Sequence, residues 1–123
     1  DLVFGQNAAK TTNTSPEEVI SIIKEFVESN YCTNIKISMF ADKYFFSHEY
    51  LNKLFKNKYG YTIYEYVLKL RMERAKELLG QPDIKIMDIA ERLGYADNHY
   101  FSKAFRTYYH VTPTQYRNQL QNP

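Results

Sequence analysis

Two related copies of a segment about 30 residues long occur in this chain, and a repeat that short is one supersecondary unit used twice. At an offset of 49, Ile37 and Ala41 match Ile86 and Ala90. One residue is then inserted in the second copy. At an offset of 50, Tyr50, Lys53, Phe55, Tyr59, Thr62 and Tyr66 match Tyr100, Lys103, Phe105, Tyr109, Thr112 and Tyr116. Similar residues fill the gaps (Asp42/Glu91, Lys43/Arg92, Leu51/Phe101, Lys56/Arg106), and the identities fall at equivalent helical phases.

Each copy reads as a short helix (about Ser38–Tyr44; Met87–Leu93), a break, and a longer helix (about His48–Tyr59; Asn98–Tyr109). The small Ala41 and Ala90 let two helices cross steeply. Gly94 stands where a helix-turn-helix turn wants a positive φ; Phe45 at that place implies a strained or differently shaped turn. Ser47 and Asp97 are placed to cap the second helices. Ahead of the repeat, Ser15-Pro16-Glu17-Glu18 opens a helix with a capping box and a proline at its first position. Its apolar stripe is Val19, Ile22, Ile23, Phe26 and Val27. Between the copies, Thr62–Leu79 reads as a linker helix with Ile63, Tyr66, Val67, Leu70, Ala75 and Leu78 on one face, stopped by Gly80 and Pro82. Nothing alternates with the period of a strand. The fold class is therefore all-α. Residues 1–14 read as a linker or the tail of an upstream domain, and residues 15–123 as one domain holding helix-turn-helix units at about 37–60 and 86–110.

The net charge of +2 hides an asymmetry: residues 36–123 hold 14 basic against 9 acidic residues. A basic body is compatible with a polyanion. The single Cys32 excludes an internal disulfide and agrees with a reducing cytoplasm, and no apolar run is long enough to span a membrane. His48, His99 and His110 form no i, i+4 pair, Cys32 has no CxxC partner, and no Gly-rich phosphate loop is present. No catalytic residue, metal or cofactor is expected. Aromatic residues make up 16% of the chain, enough to raise stacking on single strands. The repeated pairs Tyr50/Tyr100, Phe55/Phe105 and Tyr59/Tyr109 are expected in the core instead, with Tyr61 and Tyr64 facing a partner.

Helical phase divides each second helix. Leu51, Leu54, Phe55 and Tyr59, and in the other copy Phe101, Ala104, Phe105 and Tyr108, are expected to face inward. The outward sets are His48, Glu49, Asn52, Lys53 and Lys56, and Asn98, His99, Ser102, Lys103 and Arg106. Asn pairs with adenine, Lys with guanine, and Glu accepts from cytosine. An ordinary solvated helix is polar too, but two such faces on repeated helix-turn-helix units favour duplex DNA. A linker helix of 18 residues would be roughly 27 Å long. That would hold the two second helices near the ~34 Å spacing of successive major-groove faces. Unlike copies imply an asymmetric site.

These motifs resemble the DNA-binding domain of the AraC/XylS family of bacterial transcription regulators. The resemblance rests on Ala41…Ser47-x-x-Tyr50-Leu51-x-x-Leu54-Phe55-Lys56…Gly60, on Arg71-x-x-x-Ala75-x-x-Leu78-Leu79, and on Ile86-x-x-Ile89-Ala90-x-x-Leu93-Gly94-Tyr95…Tyr100-Phe101-x-x-x-Phe105-Arg106…Thr112-Pro113-x-x-Tyr116-Arg117. It implies seven helices, with recognition helices in adjacent major grooves. By position it implies base contacts from His48, Glu49, Asn52, Lys53, Asn98, His99, Ser102 and Lys103, and phosphate contacts from Ser47, Lys56 and Arg106. It also implies an upstream sensing or dimerising domain and activation through RNA polymerase. Three departures stand out. His110 replaces the glycine that Gly60 supplies in the first copy, Met87 replaces the small capping residue that Ser38 supplies, and Glu49 either reads cytosine or repels phosphate. The competing reading is a protein-interaction module of the same fold, which would lack salt-dependent binding to duplex DNA.

Overall fold

Ser15 and Glu18 start the first helix by capping each other: the Ser15 amide donates to Glu18 Oε1 at 3.0 Å, and the Glu18 amide donates to Ser15 Oγ at 3.2 Å. The Ser15 amide holds the Glu18 carboxyl below its usual range. A computed structural model describes residues 14–122, so the expected linker at 1–14 lies, except for Thr14, outside the described residues. Within them there are seven helices and no strand. They are α1 (Pro16–Asn30), α2 (Ser38–Tyr44), α3 (His48–Tyr59), α4 (Ile63–Leu79), α5 (Ile86–Arg92), α6 (Asn98–Tyr109) and α7 (Pro113–Gln121). Two compact units divide the chain, one built on α1 to the first turn of α4 and one on Tyr31–Asn34 with Leu68 onward.

In the first unit α1 buries Val19, Ile20, Ile23 and Val27. The expected stripe is thus rotated: Ile22 is 40% exposed and Ile20 only 2%. At 100° per residue the buried four cluster about 55° past Val19, which leaves Ile22 beyond the edge of the face. Phe40 and Ala41 of α2 and Leu51 and Phe55 of α3, two helices that touch α1, are buried with them, as are Ile63 and Val67 of α4. The Phe26 and Phe40 rings meet edge-on at 5.4 Å.

The second unit buries Met72, Ala75, Leu78, Leu79, Ile89, Ala90, Leu93, Phe101 and Phe105. Met72 and Leu79 join the apolar face of α4, and Leu70 is only half-buried. The expected inward Tyr108 is 37% exposed. Tyr109 takes its place, its ring 4.9 Å from Phe105, with Lys76 Nζ 3.9 Å from its ring centre. Both tyrosines lie one turn beyond Phe105, and it is the Tyr109 ring that meets Lys76 of α4. Two arginines tie loops down. Arg71 donates to the carbonyls of Tyr31 at 2.6 Å and Thr33 at 2.8 Å. Arg117 donates at 3.1 Å to those of Leu79 and Gln81, satisfying acceptors at the C-terminus of α4.

Both helix-turn-helix turns have one shape. Phe45 (φ 64) and Gly94 (φ 92) are left-handed, and the next amides, of Phe46 and Tyr95, donate to Ala41 and Ala90 at 3.1 and 3.0 Å. The turn at Phe45 is therefore strained and not reshaped, by roughly 1–2 kcal/mol, while its ring stays 68% exposed. His110 (φ 68) is left-handed like Gly60 (φ 88), as expected of that departure. Ser38 is the first helical residue and not a cap: α2 and α5 both start without a side-chain cap, at Ile37 and Lys85.

Gly94 has a second constraint, since a Cβ there would lie 2.2 Å from the Cys32 carbonyl oxygen, whereas at Gly60 nothing lies within 4 Å. Gly94→Ala should destabilise by about 3 kcal/mol or more and Gly60→Ala by about 1 kcal/mol, compared by denaturant unfolding. Burial, then the neighbouring Tyr108 and Glu73, push the Tyr109 phenol from 10 up to about 12. A raised phenol pKa means stability that is complete below pH 10 and lost as the pH rises toward 12. Tyr109→Phe should flatten that alkaline loss in unfolding curves measured between those two values.

Candidate nucleic-acid interface

Capping fixes where α3 and α6 begin. Ser47 is extended (φ −76, ψ 156) and its Oγ accepts the Tyr50 amide at 3.1 Å. Asp97 Oδ1 accepts the amides of His99 at 2.9 Å and Tyr100 at 3.1 Å. These bonds satisfy donors that the helix itself leaves unpaired. His48 and Asn98 thereby become the first helical residues. In a helix-turn-helix unit the N-terminal part of the second helix is the part that reaches base edges.

The inner face of each helix is anchored by fully buried residues, Leu51 and Phe55 in α3 and Phe101 and Phe105 in α6. The opposite face is exposed: Ser47, His48, Glu49, Lys53 and Lys56 in one unit, and Asn98, His99, Lys103 and Arg106 in the other. Each set combines hydrogen-bonding groups at the helix start with a cation one and two turns on. Lys56 Nζ lies 3.9 Å from Glu65 Oε1 across exposed side chains. Such a pair contributes little and is screened by salt, so the lysine can exchange partners. The Glu65 carboxyl is held below its usual range first by the Thr62 amide, which donates to it at 2.8 Å. Glu49 stands in the first turn of α3, where the helix dipole favours an acid whether or not it meets a base.

Asn52 and Ser102 stand apart from these sets because both are half-buried. Asn52 Oδ1 accepts the Ile63 amide at 3.1 Å. Pairing with adenine through both amide atoms is closed to Asn52 while that bond holds. Two residues expected in the core prove exposed, Tyr50 at 42% and Tyr100 at 64%. Each sits one step before an inner residue, which turns it about 100° off the buried line. Tyr50 leans on Phe46 with ring centres 5.7 Å apart. Their identity across the repeat suited core or surface equally. Tyr61, expected to face outward, is half-buried with its ring 6.1 Å from Tyr66, and Tyr64 is 68% exposed. Among the described residues no group of three or more His, Cys, Asp or Glu is placed to hold a metal ion, and no helix is long and apolar enough to cross a membrane.

Comparison with known proteins agrees with this arrangement. Residues 40–119 match the family model described as a helix-turn-helix domain. The chain is 32% identical over 119 residues to the Msm operon regulatory protein of Streptococcus mutans, a match covering 97% of this chain and 43% of that protein. It thus spans less than half the length of that relative. Among solved structures, it is similar to the C-terminal domain of AraT, a response regulator from Geobacillus stearothermophilus, with a TM-score of 0.74 and 31% identity, covering 87% of this chain and 88% of that one. It shares its fold, at a TM-score of 0.73 and 17% identity, with the DNA-binding domain of the global transcriptional factor AdpA, solved with a target DNA; that match covers 88% of this chain and 95% of the other. The capped pair of helix-turn-helix units and these matches have one conclusion: the chain belongs to the helix-turn-helix family of AraC-type transcription regulators and is a DNA-binding domain of that kind.

Proposed function

We propose that residues 15–123 bind double-stranded DNA at an asymmetric two-part site, α3 and α6 each entering a major groove, as part of a cytoplasmic transcription regulator that activates. The observation that carries this is the paired presentation of exposed polar side chains on two capped second helices held by the same buried aromatic anchor. Base edges would be read by His48, Glu49 and Lys53 from α3 and by Asn98, His99, Ser102 and Lys103 from α6. Ser47, Lys56 and Arg106, at the ends of those faces, would meet phosphates. The fold shared with a domain solved on its target DNA supports the mode of binding. That the domain works within a larger protein is supported by the share of the Streptococcus relative that this chain spans; an upstream sensing or dimerising domain and a contact to RNA polymerase would complete it. A non-enzymatic role is supported by the likeness to a regulatory protein.

Lys53→Ala and Lys103→Ala should each relax preference at a different base pair, by about 1–3 kcal/mol of discrimination. Arg106→Ala should weaken all sequences alike and reduce the slope of affinity against salt by about one unit. Fluorescence anisotropy with a panel of singly substituted duplexes at several salt concentrations measures both. Equal losses on every duplex for Lys53→Ala and Lys103→Ala would remove their base-reading role.

A further inference from the structure

We propose that Asn52 is a positioning residue, which fastens the first reading helix to the start of α4 and reads no base itself; this rests on the DNA-reading role of α3. Ile63 opens α4, so its amide belongs to the first turn, whose donors have no partner within the helix. Glu65, two residues on, is served by the Thr62 side chain. The Ile63 amide instead finds Asn52 Oδ1 at 3.1 Å, eleven residues back. Ile63 is 2% exposed, so water is poorly placed to substitute, and an unpaired buried donor is destabilising. The bond joins a side chain inside α3 to the backbone of the next helix. It fixes how α3 stands within its unit, and with it the aim of His48, Glu49 and Lys53.

The second copy supplies the control. There Pro113 opens α7 in the place of Ile63, and Ser102 occupies the place of Asn52. Proline has no N–H to satisfy and suits the first helical position. Where the donor is missing, the long acceptor is missing too. A pair that differs together in this way is what a structural tie requires, whereas a choice of base at position 52 would have no reason to track the residue at 63.

The test is a cycle of Asn52→Ser, Ile63→Pro and the double variant, with Asn52→Asp as the variant that keeps an acceptor. Denaturant unfolding of the whole chain and affinities for the preferred duplex and its single-base variants are both read. Asn52→Ser alone should shift the unfolding equilibrium by about tenfold and lower affinity by one common factor on every duplex. In the Ile63→Pro background the same change should have almost no effect, and Asn52→Asp should keep the stability of the parent. Relaxed preference at one base pair with unfolding unchanged would overturn the positioning role and leave the DNA reading intact. A folded parent chain that prefers no duplex would overturn the DNA reading and this role with it.

Discussion

Each unit closes around a phenylalanine, at the same place in its second helix, that water does not reach. Phe55 and Phe105 are 0% exposed, and each stacks against two tyrosines at matching distances. The ring centres lie 4.8 Å to Tyr59 and 5.8 Å to Tyr66 in one unit, and 4.9 Å to Tyr109 and 5.8 Å to Tyr116 in the other. Burying a Phe side chain is worth about 1.5–3 kcal/mol, and the aromatic contacts add to it. Its consequence for function is rotational. With Phe55 inward, Lys53 two residues earlier is turned roughly 160° away, and Phe105 does the same for Lys103. The interior of each unit thus dictates which residues of its second helix meet a partner.

The backbone completes this arrangement at the two ends of each second helix. Ser47 and Asp97 cap the starts, and left-handed residues, Gly60 and His110, end them. Upstream, a left-handed turn after a buried alanine sets how the first helix meets the second. The two copies meet these requirements with different residues, Phe45 in one and Gly94 in the other. Gly94 has no freedom because of the Cys32 carbonyl; nothing in the structure explains why a phenylalanine occupies the other turn. Shared interiors with unlike surfaces are what one architecture needs in order to address two different stretches of DNA.

Much of this was legible from residue order, and the failures at helix faces have a common physical origin. Helix starts announce themselves through local chemistry, so Ser15, Ser47 and Asp97 were readable, and so was the positive φ at Gly94. Residues deep in a stripe were readable for the same reason that Phe55 and Phe105 are buried. Residues at the edge of a stripe were not. Ile20 against Ile22, Tyr109 against Tyr108, and the exposure of Tyr50 and Tyr100 all turn on which edge of a stripe meets the neighbouring helix. Asn52 was illegible for another reason, since its partner is a backbone amide eleven residues away, and no side-chain pattern marks a backbone donor. The repeat held that signal only in the exchange of Ile63 for Pro113 together with Asn52 for Ser102.

Central to the account is that both second helices read DNA, each its own sequence. Selection of residues 15–123 from a random double-stranded library tests this most directly. The account predicts enrichment of two unlike half-sites whose centres lie about 10–10.5 base pairs apart. A single half-site would contradict it by reducing one unit to a scaffold, and no enrichment by the folded domain would contradict it altogether.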